Sequence, residues 1–149
     1  MHSDRFPGRW KGTKELYFEG PPEPDNVSDS EMTVSSVAHG KFLSITYTWT
    51  FKDVDHEGFL LIGRLNPGEA SSGAWVDSFH MSGKVWPCEG VVGEDGKVDL
   101  HGTYEAPPGP DWGWRITLAS DGRQLQLLMY NISPEGDELL AVQASYERV

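Results

Sequence analysis

Along most of the chain, apolar and polar residues alternate one for one. The clearest case is KFLSITYTWTF, where Leu43, Ile45, Tyr47, Trp49 and Phe51 alternate with Ser44, Thr46, Thr48 and Thr50. A period of two places successive side chains on opposite faces of a strand, so one face is apolar and one carries hydroxyls. Between such segments stand AHGK, NPGEASSG, GEDGK, SDGR and PEGDE. Glycine near Asn, Asp or Ser supplies the positive φ that tight hairpins need. About ten strands are predicted, starting near Trp10, Met32, Phe42, Gly58, Ala74, Val85, Val98, Trp112, Gln124 and Glu138. The polar, proline-bearing EGPPEPDNVSDSE, Glu19 to Glu31, is expected to be a long loop between the first two. No amphipathic helix longer than a turn or two is visible. Many short strands at hairpin spacing predict an all-β, closed antiparallel up-and-down barrel or a sandwich. Closure is favoured because it removes exposed edges.

Parity then assigns faces. Tyr47 and Trp49 point inward. In the seventh strand Val98, Leu100, Gly102 and Tyr104 share the inner row and His101 faces water. Met129 points inward from the ninth. In AWVDSFHMS, Trp75, Phe79 and Met81 form an apolar row that includes Asp77, while Val76, Ser78 and His80 lie opposite. A regular strand admits only one of Asp77 and His80, with Asp77 favoured; a bulge would admit both. A carboxylate among aromatic rings needs a partner, or its pKa rises. In APPGPDWGWR, Ala106 to Arg115, the prolines remove amide donors and predict a stiff loop at the barrel rim. Trp112 and Trp114 then share an inward face, and Arg115 points away unless a bulge turns it in. An inward Arg115 would fix a carboxylate ligand or pair with Asp77. Tyr47, Trp49, Trp75, Phe79, Tyr104, Trp112, Trp114 and Met129, with Asp77, His80 and Arg115 as polar anchors, are the candidate lining of a small-molecule site.

Composition narrows the function. The 149 residues fit one domain, 1–149, with 38% apolar residues, 17 glycines and 10 prolines. Net charge is −11, and no basic stripe is present, which argues against nucleic acid and anionic membranes. The single cysteine, Cys88, forms no internal disulfide and fits a reducing compartment. With no signal-peptide pattern at the start, a cytoplasmic location is expected.

Catalytic signatures are missing. There is no Gly-x-Ser-x-Gly elbow, no phosphate-binding glycine loop and no His/Cys metal spacing. The acidic cluster from Asp53 to Glu57 is expected to be a solvated turn. No cofactor or metal is predicted.

Gly8-Arg9-Trp10, at the start of the first strand, resembles the Gly-x-Trp signature of lipocalins and their calycin relatives. The resemblance implies a lipocalin or fatty-acid-binding-protein type barrel, with Trp10 plugging one end. It also implies an arginine of the last strand packing across the indole. In LLAVQASYERV, Arg148 stands in phase with Leu140, Val142, Ala144 and Tyr146, so a cation–π contact of Arg148 with Trp10 is expected. WVDSFHMSGKVWPCEG and GTYEAPPGPDWGWR are similar to an uncharacterised bacterial family of lipocalin-like proteins, which brings no activity with it. A haem-binding branch of the superfamily uses a histidine near the C-terminus. This chain has His2, His39, His56, His80 and His101 and none later.

The expected function is therefore binding of a small apolar or amphipathic molecule in the barrel. One alternative is an enzyme using Asp77 or His80 as general acid or base. Another is a filled barrel acting through its outer surface, with a homodimer left open.

Overall fold

A computed structural model describes residues 2–63 and 66–149. Ten antiparallel strands form a closed barrel: β1 (Gly8–Leu16), β2 (Asn26–Val37), β3 (Phe42–Phe51), β4 (Val54–Gly63), β5 (Ala70–Asp77), β6 (Trp86–Val92), β7 (Val98–Tyr104), β8 (Trp112–Ser120), β9 (Gln124–Ile132) and β10 (Glu138–Arg148). Each strand pairs with the next in sequence, and β1 closes the ring against β10. The connection is up-and-down throughout, so the β1–β2, β3–β4, β5–β6, β7–β8 and β9–β10 loops share one end. Two short 3₁₀ turns, His2–Arg5 and Met81–Gly83, lie outside the strands. Among the described residues no helix is long and apolar enough to cross a membrane.

Alternation generates the core directly. Leu43, Ile45, Tyr47 and Trp49 are buried, as are Leu125, Leu127 and Met129 of β9 and Val98 and Leu100 of β7. His101 is exposed.

Three strands begin earlier than their apolar pattern suggests, β5 among them, at Ala70 rather than Ala74. β2 starts at Asn26, inside the segment expected to be loop. Its polar residues find partners: Asn26 donates to the Thr50 carbonyl at 2.8 Å, and Ser30 shares a 2.8 Å hydrogen bond with the Tyr146 hydroxyl. Hairpin pairing with β1 gives this stretch a ladder partner from Asn26 to Val34, which compensates for its weak hydrophobicity. β4 starts at Val54 rather than Gly58. Lys52 and Asp53 both adopt positive φ, 49° and 62°, while Phe51 pairs with Val54. This is a two-residue hairpin of the kind usually signalled by Asn-Gly, here made without glycine. Most of the Asp53–Glu57 cluster is thus strand, not turn. Among the described residues no three His, Cys, Asp or Glu side chains cluster as metal ligands.

One barrel end is plugged. The Arg148 guanidinium carbon lies 4.3 Å from the Trp10 ring centroid. Its nitrogens donate to the carbonyls of Gly122 (2.6 Å), Pro7 (2.6 Å) and Arg5 (3.0 Å), and the Trp10 indole donates to the Phe6 carbonyl at 2.9 Å. Gly8 has φ 140°, and a Cβ there would overlap the Arg148 guanidinium. The glycine of Gly8-x-Trp10 is needed for both conformation and space.

Candidate functional site

The opposite end is aromatic and holds the polar interior. Tyr47, Gly58 and Asp77 lie side by side across β3, β4 and β5. Gly58 leaves open the space that a Cβ would take from the Tyr47 ring. Tyr47 therefore reaches over it and donates its hydroxyl to Asp77 Oδ2 at 2.5 Å. The Trp75 indole in turn donates to the Tyr47 hydroxyl at 3.0 Å. Asp77 Oδ1 accepts the Phe79 amide at 2.8 Å and, more loosely, the His80 amide at 3.4 Å. Asp77 is 6% exposed, so these donors replace the water it has lost. Burial, then the negative charge of Asp77, pushes the Tyr47 pKa well above its usual value.

Parity had set Asp77 against His80, yet both face inward. β5 pairs in regular register with β4 and ends at Asp77, so no bulge is involved. Beyond the strand end the chain turns, and the two-residue period no longer governs His80. Its ring packs 4.9 Å from Phe79, 5.4 Å from Trp75, 5.8 Å from Trp114 and 6.0 Å from Trp49, centroid to centroid. Burial lowers its pKa to about 4; Asp77 opposes this, and Lys14 and His56 add to it. The imidazole is uncharged at neutral pH.

Sequence reasoning missed Lys14. It stands in phase with Trp10 and Leu16 on the inner row of β1, and it is 1% exposed. Its Nζ lies 3.4 Å from the Trp49 ring centroid and 5.3 Å from that of Tyr47. Burial lowers its pKa from 10.5 to about 7, partly offset by the charge of Asp77. The signal was available, since the β1 row Trp10, Gly12, Lys14, Leu16 obeys the rule used for the other strands.

A cleft of about 560 Å³ opens at this end, with Trp75, His80, Met81, Trp86, Tyr104 and Trp114 among its walls. The Trp75 and Trp114 rings stack at 5.7 Å with 9° between their planes. The loops at residues 78–85 and 105–111, the second proline-rich as expected, flank it. Tyr104 donates to Asn131 Oδ1 at 2.6 Å. Trp112 is half-buried and pairs across from Tyr104. Phe79 is half-buried against Trp49 and Phe51. Tyr47, Trp49 and Met129 are buried in the barrel and do not line the cleft. Larger depressions, of about 690 and 610 Å³, lie along the barrel wall among mostly polar residues such as Lys11, Thr13 and Gln126, or Thr33, Thr46 and Thr48.

Arg115 does not join the site. It points outward, binding Asp99 through Nε and Nη2, both at 2.9 Å, and Glu138 through Nη1 at 3.1 Å. β8 runs without a register shift, so nothing turns Arg115 inward to Asp77. Cys88 is buried, and burial alone pushes its thiol pKa up to about 12.

Comparison with known proteins adds a fold relative and a family. The structure is similar to the crystal structure of Rv2717c from M. tuberculosis, with a TM-score of 0.66 and 16% identity over 99% of this chain and 94% of that one. At that identity the likeness concerns the fold. No curated protein matches the sequence. Residues 4–148 match the family described as protein of unknown function (DUF1579), and the chain belongs to that family.

Proposed function

We propose that the barrel binds a small, largely apolar molecule at its open end, in the manner of a lipocalin-like container. The observation that carries this reading is the aromatic cleft walled by Trp75, Trp86, Tyr104 and Trp114, opposite the end plugged by Trp10 and Arg148. Apolar walls with few convergent polar groups are the usual make-up of a ligand site. The net charge of −11 and the absence of a basic stripe favour a small-molecule partner over nucleic acid or an anionic membrane, and a cytoplasmic setting suits the lone buried Cys88.

General acid–base catalysis by Asp77 or His80 is the weaker reading. Asp77 is occupied by Tyr47 and two amides, and the imidazole of His80 stays neutral far below physiological pH. The imidazole is thus not poised near neutrality, as such a role requires.

The test uses a neutral aromatic probe, naphthalenemethanol, titrated while tryptophan fluorescence is followed. Saturable quenching that is weakened by Trp114→Ala and unaffected by Trp10→Phe supports the reading. No saturable binding, or binding indifferent to Trp114, contradicts it.

A further inference from the structure

Among the described residues, four buried side-chain polar atoms have no hydrogen-bond partner: Lys14 Nζ, Trp49 Nε1, His80 Nε2 and Trp114 Nε1. All are nitrogens, and all four belong to one contiguous group. Lys14 lies on the Trp49 ring, Trp49 neighbours His80, and His80 neighbours Trp114. Unpaired buried polar atoms are rare and costly. Scattered orphans would be incidental; four gathered at one place imply a missing partner.

The chemistry of that partner follows from the donors. An ammonium and two indole N–H groups can only donate, and an imidazole Nε2 donates in one tautomer. The oxygen acceptors nearby are already engaged, since the Tyr47 hydroxyl and Asp77 accept from Trp75, Tyr47 and the Phe79 amide. The missing group is therefore an oxygen acceptor. Deepening the small-molecule reading above, on which this rests, we infer that the ligand carries a carboxylate on an aromatic body, its oxygens meeting Lys14 Nζ and the indole N–H groups of Trp49 and Trp114. The aromatic body fits the cleft, whose walls include the indoles of Trp75, Trp86 and Trp114 and the Tyr104 ring, with Lys84 and Glu105 also lining it. His80 and Trp114 line the cleft, while Trp49 and Lys14 lie one layer deeper. His80 thus stands between the cleft and the deeper nitrogens, and the inferred binding requires its ring to turn aside. Among the described residues, its backbone amide meets only the 3.4 Å contact to Asp77.

Proton linkage gives this site a second signature. Tyr47, Asp77 and His80 face Lys14 from β3, β5 and the loop after it. His56 faces His80, and Tyr146 faces Tyr47. The His80 pKa is lowered to about 4, while those of Tyr47 and Tyr146 are raised, Tyr146 to about 12. Lys14, lowered to about 7, changes charge between these limits. An anion beside it favours the ammonium. Binding therefore takes up roughly half a proton at about pH 7, and affinity falls as pH rises further.

The experiment compares naphthoate, naphthalenemethanol and naphthylmethylammonium by calorimetry, in wild type and Lys14→Met. Methionine keeps the length of the lysine stem and suits an apolar interior. At about pH 6, naphthoate is expected to bind at least about tenfold more tightly than the alcohol, and the ammonium not at all. In Lys14→Met the advantage of naphthoate disappears while the alcohol still binds. Proton uptake on naphthoate binding, read from buffers of different ionisation enthalpy, disappears with it. Equal affinities for naphthoate and the alcohol, or a preference that survives Lys14→Met, overturn the inference and leave the container intact. Failure of all three probes overturns both.

Discussion

The ammonium of Lys14 lies 3.4 Å from the centroid of the Trp49 ring, inside the barrel and out of reach of water. A lysine in phase with core residues on a strand is normally excluded, because removing its charge from water costs several kcal/mol. Here the cost is met in part by the π-face of Trp49, by the nearby charge of Asp77 and by easier loss of the proton.

Replacing that lysine should stabilise the empty protein. Its folded pKa, about 7, lies below its unfolded value near 10.5. Between these values the unfolded chain holds more protons, so stability rises with pH through that window and is lowest below about pH 7. Lys14→Met is expected to gain about 1–4 kcal/mol below pH 7, with the gain shrinking towards pH 10. Urea unfolding at several pH values checks this. A lysine variant that is destabilised at every pH would contradict it.

His80 adds a slope of the same sign at lower pH. Its folded pKa near 4 lies below the usual 6.5. Its contribution is complete above about pH 6.5 and is lost as pH falls towards 4. The imidazole resonances of His80 should therefore stay those of the neutral ring at pH 5.5, as NMR titration would show.

Tyr47→Phe should cost about 2–3 kcal/mol, because it strips a donor from buried Asp77 and an acceptor from the Trp75 indole at once. Gly58→Ala should damage the same bridge, since its methyl group would take the place of the Tyr47 ring. Thermal melts of both variants measure this. A Tyr47→Phe protein as stable as wild type would mean that water or repacking replaces the bridge.

At the plugged end, Gly8→Ala meets two penalties, a φ of 140° and the Arg148 guanidinium. It should cost about 2–3 kcal/mol. Arg148→Ala should cost less alone and should relieve part of the Gly8→Ala penalty. A double-mutant cycle reads that coupling.

How much of this the sequence carried depends on whether a side chain obeyed its strand. Trp49, Trp75, Tyr104 and Arg148 do, and alternation sufficed to place them. Ten strands were legible because nearly every hairpin is marked by glycine. The β3–β4 turn at Lys52-Asp53 lacks that mark, and β4 was accordingly started too late. β2 was shortened because Ser28, Asp29 and Ser30 resemble a loop until pairing with β1 supplies their neighbours. His80 was misjudged because β5 stops three residues before it and parity has no meaning beyond a strand end. Lys14 obeyed parity, but its charge argued against the face it occupies. The unpartnered nitrogens were beyond reach, since they arise where β1, β3, β8 and the loop after β5 converge.

The most direct test of the container is native mass spectrometry of the protein purified gently from its own cells. The account predicts a reproducible extra mass, lost on denaturation, belonging to a small aromatic acid. A clean unliganded mass in every preparation, together with no uptake of added naphthalenemethanol, would contradict it.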